Sequence, residues 1–435
     1  MTRLAYVVLS YLLAPFVAGF LLIRGIRNPA YLDRFGERFG FSRNRLDTCL
    51  WVHAVSVGEV QAASGLVRGL RRRYPELPVV ITTVTPTGAQ RVQDLFGDDV
   101  THVYAPYDLP GAVRRFFDRL SPCLAIIVET ELWPNLYHEC GRREVPLVLA
   151  SARISPRSVA TYRRFVGLFR EALSHGIVIA AQSDNDAERF RSLGANPART
   201  HTTGNIKFDM EPVTGIRETG EALRAQHAAD RPVWVAGSTH DGEELQVLRA
   251  HRRLQEQFPD VLLMLVPRHP ERFAGVAELV RGEGFSLVTR SSGRQCSAET
   301  DVFLIDTLGE LVSMYAAADV AFVGGSLVPI GGHNLLEPAV LGKPILTGPH
   351  TFNAEDIAEL FIEQGAALRI ENADDLAEQA GHLLADRELA AGIGEKGREV
   401  VLQNRGALDR LLALIDPLIQ LSPRAPASTL SQASH

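Results

Sequence analysis

"CLWVHAVSVGEVQAASGLV", residues 49–67, changes character halfway along. Cys49 to Val55 form a near-continuous apolar run, as a strand buried on both faces requires. Ser56-Val57-Gly58-Glu59 then fits the S-x-x-E capping box that opens a helix. A strand that gives way to a helix across a short turn is the repeating unit of an open α/β sheet, and ligands bind at that carboxyl edge. Glu59 therefore has two readings. It is a helix cap, satisfying a free backbone N–H, or it is a carboxylate presented at a ligand edge, where a helix N-terminus favours its ionised form.

The same alternation recurs along the chain. "PVVITTV", "THVYAP", "CLAIIVET", "PLVLAS" and "IVIAAQS" read as further parallel strands. Between them lie amphipathic segments such as "GAVRRFFDRL" and "SVATYRRFVGLFREAL". A polar stretch at 209–232 reads as a linker, and the pattern then restarts with "VWVAGS", "VLLMLVP", "FSLVTR", "VFLID", "VAFVGGS" and "PILTG". The 435 residues are too many for one ordinary core. The expected fold class is α/β: two Rossmann-like domains facing a cleft, preceded by an N-terminal membrane-anchor helix. The expected division is an anchor at 1–24, a first domain at 25–208, the linker at 209–232, a second domain at 233–421 and a disordered tail at 422–435.

Charge separates the halves. Residues 1–210 hold 26 Lys and Arg against 19 Asp and Glu, whereas 211–435 hold 19 against 32, for a net −6. The basic half should face something anionic, either nucleic acid or a lipid surface. Leu4 to Ile23 carries no charge over twenty residues, about 30 Å as a helix. Arg24, Arg27, Arg34 and Arg38 follow it, so the positive-inside rule puts the rest of the chain in the cytoplasm. A cleaved signal peptide is disfavoured by the length of the run and the absence of a clean A-x-A site. Lipid is thus the expected partner, and nucleic acid is not. Cys49, Cys123, Cys140 and Cys296 are scattered without a C-x-x-C pair, as reduced cytosolic thiols would be.

Several segments carry groups suited to chemistry. "AIIVETELWPN" ends an apolar strand with Glu129 and Glu131, either solvated charges opening a helix or carboxylates able to stabilise a sugar oxocarbenium ion. "TGNIKFD" places Lys207 in a strand-like stretch just before the linker. "LVPRHPER" ends a strand with Arg268 and His269, "DTLGEL" opens a helix near Leu308-Gly309-Glu310, and "GGSLVPIGGHNLLEP" sets two Gly pairs before a helix near Asn334. Those glycines permit close backbone approach, and a helix N-terminus offers N–H donors to a phosphate. Asn334-x-x-Glu337 also resembles a cap. There is no P-loop and no G-x-G-x-x-G fingerprint. His53, His269 and His333 lie far apart in sequence, so neither a metal nor another cofactor is expected.

"HAVSVGE", "ETELWPN", "SARIS", "GNIKFD", "PRHPER", "DTLGEL" and "GGHNLLEP" occur in this order, and together they resemble the 3-deoxy-D-manno-octulosonic acid (Kdo) transferases of lipopolysaccharide assembly. The resemblance covers residues 1 to about 420. It implies a GT-B fold, a CMP-Kdo donor, an anionic lipid A precursor (lipid IVA) as acceptor and the inner membrane as location. It also implies that Glu59 is the catalytic base, with Glu129 and Lys207 stabilising the transition state. The implied CMP contacts are Pro267, Arg268, Leu308, Gly309, Glu310, Asn334, Leu335, Leu336 and Glu337. The rival readings are another GT-B enzyme (a lipid A disaccharide synthase or a UDP-sugar epimerase) and a membrane-tethered binding protein.

Overall fold

The computed structural model describes residues 3–163, 167, 176–210 and 214–422. The chain divides into two compact units, 1–209 with 404–435, and 210–403. Each is built on a seven-stranded, all-parallel sheet.

The first sheet has the order β3-β2-β1-β4-β5-β6-β7. Its strands are β1 Cys49–His53, β2 Val79–Thr83, β3 Thr101–Tyr104, β4 Pro122–Val128, β5 Leu147–Ala152, β6 Val178–Ala181 and β7 Thr200–Thr202. Alternate residues feed two cores, which is why the strands read as unbroken apolar runs. Trp51, Ala125 and Ile127 pack on one face with Phe116, Phe117 and Phe190. Leu50, Val52, Leu124 and Ile126 pack on the other with Leu66, Leu70 and Ile415.

The second sheet has the order β10-β11-β9-β8-β12-β13-β14. Its strands are β8 Val233–Thr239, β9 Leu262–Pro267, β10 Leu287–Thr289, β11 Val302–Leu304, β12 Val320–Val323, β13 Ile345–Thr347 and β14 Ala367–Arg369. In each sheet the order reverses beside the first strand, between β1 and β4 and between β8 and β12. Crossover helices leave such a point in opposite directions and open a crevice at the carboxyl edge.

Five expectations change in detail. β7 and β14 are short and lack an apolar run, so their sequences carry no strand signal. Lys207 lies on a 3-10 turn, Ile206–Asp209, and not on a strand. The expected linker contains the helix Ile216–His227, which packs so closely on Leu311–Ala317 that a Cβ on Gly220 would sit 2.5 Å from that of Ala316. The last helix, Ala407–Gln420, belongs to the first unit and not to the second domain. Its buried Leu411, Leu412, Ile415 and Ile419 join the β1–β4 core, each contributing roughly 1.5–3 kcal/mol. The expected tail begins with Ser422, which is buried and donates to the Cys123 carbonyl at 2.8 Å; residues 423–435 lie outside the described residues.

Asp209 ties that last helix down, accepting from Gly406 N–H and Leu408 N–H at 2.6 Å each. Asp209→Ala leaves both donors without their partner and should cost about 1–2 kcal/mol. A lowered thermal midpoint of the detergent-solubilised protein is the expected reading, and an unchanged midpoint contradicts it.

Candidate active site

Glu59 stands where β1 gives way to the helix Val57–Ala62. Ser56 is the N-cap in extended geometry, φ −120 and ψ 168, and its hydroxyl oxygen accepts from Glu59 N–H at 3.4 Å. The Glu59 carboxylate answers by accepting from Val55 N–H at 2.7 Å and from the Ser56 hydroxyl at 3.0 Å. The Ser56 cap therefore forms, with the reciprocal carboxylate bond made to the N–H one residue before the cap. It also holds the carboxylate at the switch point of the first sheet.

Glu129 stands beside it, at the end of the neighbouring strand β4, in the left-handed region with φ 60. Ser151, near the end of β5, is left-handed too, with φ 53. A non-glycine residue adopts this conformation at a cost of roughly 1–2 kcal/mol, and such strain gathers at functional edges. Lys207 Nζ donates to Glu129 Oε1 at 2.7 Å, with both side chains about a quarter to a third exposed. The two residues lie in separate motifs of the sequence. The structure brings them together as one ion pair, 78 positions apart in the chain.

Glu131 is not a freely solvated charge. It is partly buried, its Oε2 accepts from Trp133 Nε1 at 2.7 Å, and burial raises its pKa. His53 is a core residue beneath the site; burial lowers its pKa to about 4, so it is neutral.

Electrostatics distinguish Glu59. Burial raises its pKa, the charges of Glu129 and Glu131 raise it further, and the Val55 and Ser56 hydrogen bonds pull it back, leaving it at about 7. A base works best when its pKa lies near the operating pH. If Glu59 is that base, kcat/KM rises with pH as the carboxylate form grows in. Below the midpoint the gain is about tenfold per pH unit, and a plateau follows above about 7. A flat profile from about pH 5 to 8 would contradict this assignment.

In the second unit the three anticipated segments follow β9, β11 and β12, so all lie at one edge of the sheet, near its switch point. Arg268 follows β9; its side chain is exposed and has no hydrogen-bond or ion-pair partner among the described residues. Pro267, before it, closes the strand and is buried. After β11, Leu308 is 70% exposed and Gly309 has φ 83. Glu310 is already engaged: Arg290 grips it at 2.8 and 3.0 Å, and the Thr307 hydroxyl donates to it. Burial opposes its ionisation, but these contacts outweigh burial and hold its pKa below the ordinary value. After β12, Asn334 Oδ1 accepts from Leu336 N–H at 3.1 Å, and Asn334 Nδ2 donates to Glu337 Oε1 at 3.2 Å. The cap-like reading of Asn334-x-x-Glu337 thus describes its local geometry, with Leu335 and Leu336 buried beneath it.

Two features here have no signature in the sequence. His240, at the end of β8, meets His333 with 2.8 Å between their Nε2 atoms and packs edge-on to His269 at 5.2 Å. Burial, with these neighbours and the Arg268 charge, lowers the pKa of His333 to about 3, so that ring is neutral. Among the described residues no group of three His, Cys, Asp or Glu is placed to hold a metal. Glu243 is fully buried and accepts from the N–H groups of His240, Gly325, Ser326 and Leu327 at 2.7–3.2 Å. A phosphate was expected to approach the backbone of this glycine-rich segment. At Gly325 to Leu327 those donors are already taken by a carboxylate. No local signal marks Glu243, because three of its partners lie 82–84 residues away.

Comparison with known proteins agrees with this organisation. Residues 33–210 match the family described as 3-deoxy-D-manno-octulosonic-acid transferase (kdotransferase), and residues 230–400 match glycosyl transferases group 1. A 3-deoxy-D-manno-octulosonic acid transferase of Haemophilus influenzae is 42% identical over 97% of this chain and 99% of its own length. Another, from Bordetella pertussis, is 38% identical over 88% and 90%. In fold the chain is similar to Acinetobacter baumannii MurG (TM-score 0.54, 13% identity, 85% of this chain and 99% of that one). It is likewise similar to a UDP-GlcNAc 2-epimerase of Neisseria meningitidis (TM-score 0.56, 14% identity, 85% and 99%). These two show the fold alone, and it is GT-B-like.

Proposed function

Because the chain belongs to the Kdo transferase family of lipopolysaccharide biosynthesis, we propose that it transfers Kdo from CMP-Kdo to a hydroxyl of a phosphorylated lipid A precursor such as lipid IVA, at the cytoplasmic side of the inner membrane. The observation that carries the mechanism is Glu59, a carboxylate with a pKa of about 7 at the switch point of the first sheet, beside the Glu129–Lys207 pair. Glu59 removes the proton from the acceptor hydroxyl as that oxygen attacks the anomeric carbon of Kdo. The C–O bond forms on one face while the bond to CMP breaks on the other, so the configuration inverts. Glu129, beside Glu59, is suited to offset positive charge developing on the sugar ring. Lys207 holds Glu129 and presents a cation to the Kdo carboxylate.

CMP leaves as a phosphate monoester and needs little acid assistance. The unpartnered Arg268 guanidinium suits its phosphate, and the exposed Leu308-Gly309 turn and the Asn334 cap complete the proposed nucleotide edge. The basic first unit and the apolar helix Arg3–Ile26, long enough to cross a membrane, suit an anionic lipid acceptor.

Donor competition tests the nucleotide assignment. Unlabelled CMP should displace labelled CMP-Kdo from the protein, whereas UDP should not. Arg268→Ala should weaken CMP-Kdo binding by about tenfold to a hundredfold, as loss of a charge-assisted phosphate contact does. Equal competition by UDP, or unchanged binding by Arg268→Ala, would overturn it.

A further inference from the structure

The helix Arg3–Arg27 is tied to the first unit near its start and packs at its end on the segment that follows it. Near its start the Tyr6 hydroxyl donates to Asp108 Oδ2 at 2.9 Å, and the Tyr11 hydroxyl accepts from Gly111 N–H at 3.2 Å. Asp108 is itself fixed in the folded unit: it also accepts from Asn135 N–H at 3.0 Å and Leu136 N–H at 2.8 Å. Those two donors begin the helix Pro134–Arg142, which follows the Glu129–Trp133 segment. The Arg3 charge also bears on Asp108. Near the other end Leu21 is buried, and a Cβ on Gly25 would sit 2.4 Å from Leu32. Residues that are not exposed include Arg3, Tyr6, Ser10, Ala14, Ala18, Leu21 and Gly25, which recur every three or four positions along the helix, with Val7 and Gly19 beside them. That is one continuous stripe.

Tyr6 and Gly25 are about 28 Å apart along the axis, close to the thickness of a bilayer's hydrocarbon core. A helix that crossed the bilayer would put Tyr6 on the far side from the folded unit into which the chain continues after Gly25, where its hydroxyl could not reach Asp108. The outer face is nonetheless strongly apolar: Leu4, Leu12, Phe16, Phe20, Ile23 and Ile26 are 60–81% exposed. Such a face requires an apolar partner.

Resting on the membrane location given above, we propose that this helix does not span the bilayer. It lies along the first unit and sinks its outer face into one leaflet of an anionic membrane. Charge favours lipid over a second copy of the chain, because the unit behind the helix carries an excess of Lys and Arg and anionic headgroups attract such a surface. Arg3 and the catalytic unit then share one side of the membrane.

The test places a single new thiol by Thr2→Cys in the full chain and applies a membrane-impermeant maleimide to spheroplasts. Background labelling is low, since Cys49, Cys123 and Cys140 are buried and burial raises the pKa of Cys296 to about 11. The expected result is a chain of full mass in the membrane fraction, labelled at the introduced thiol only after the membrane is opened. Labelling of intact spheroplasts shows a spanning helix and overturns the proposal while leaving the membrane location standing. Recovery in the soluble fraction, as a monomer or as an oligomer with the helix covered, overturns the location and the proposal together, as does a chain shortened by loss of its leader.

Discussion

Glu59→Gln is expected to cut transfer by orders of magnitude while leaving the chain folded and able to bind its donor. The amide keeps an oxygen that can accept from Val55 N–H, the shorter of the carboxylate's two hydrogen bonds. What it loses is the capacity to take a proton. General bases contribute about 10²–10⁴ in rate, and the loss in kcat should fall in that range, with CMP-Kdo affinity unchanged. A second reading separates a base from a mere cap. Folded Glu59 titrates at about 7, above the ordinary value of 4.5, so the folded chain binds more protons than the unfolded chain between these values. The stability this group contributes is complete below that window and is lost as pH rises through it. Glu59→Gln should therefore unfold at a higher temperature than the wild type at about pH 8, and the advantage should vanish below about pH 5. Full activity in the variant, or no pH dependence of the stability difference, would contradict the assignment. Ser56→Ala offers the contrast: it removes the cap oxygen and should cost on the order of 1 kcal/mol of stability.

The second large effect concerns the Glu129–Lys207 pair, joined at 2.7 Å. Glu129→Gln and Lys207→Met should each lower kcat by about a hundredfold, because a preorganised charge near the reacting centre is worth roughly 2.7–4 kcal/mol. Residues that act as a unit are strongly non-additive. The double variant should thus be nearly as active as either single one, with a coupling energy of about 1–3 kcal/mol in the cycle. Independent roles would instead multiply the two losses, and a double variant some ten-thousandfold impaired would show that the ion pair is not the working unit.

Much of this site was legible in the sequence because an open parallel sheet sorts residues by position. Any residue that follows an apolar strand reaches the same edge, so Glu59, Glu129, Arg268, Leu308 and Asn334 could be assigned to sheet edges from local pattern alone. The helix cap at Ser56 was legible for the same reason, since its partners lie within four residues. Contacts made across the chain left no such trace. Lys207 meets Glu129 through a 3-10 turn at the end of the first domain, and nothing in "GNIKFD" says which carboxylate it meets. Glu243 and Arg290 read as ordinary charged residues, yet one fills a backbone nest and the other holds Glu310. The last helix looked like part of the second domain because it follows it in sequence. Its apolar face and the Asp209 cap place it on the first sheet instead. The apolar N-terminal run was legible, from length and composition, as a helix long enough to cross a membrane. The direction of the helix depends on the Tyr6 and Tyr11 hydroxyls, whose partners lie about a hundred residues away.

Mass spectrometry of the products formed by the purified full-length chain, CMP-Kdo and a lipid A precursor tests donor, acceptor and base together. Transfer as described gives a lipid heavier by one or more whole Kdo residues, one CMP released per residue added, and an inverted anomeric centre. The same incubation with Glu59→Gln forms that product about 10²–10⁴-fold more slowly. If the wild-type chain leaves the lipid mass unaltered while CMP-Kdo stays intact, or if Glu59→Gln yields the same Kdo-bearing product at the wild-type rate, the proposed reaction or its proposed base is wrong.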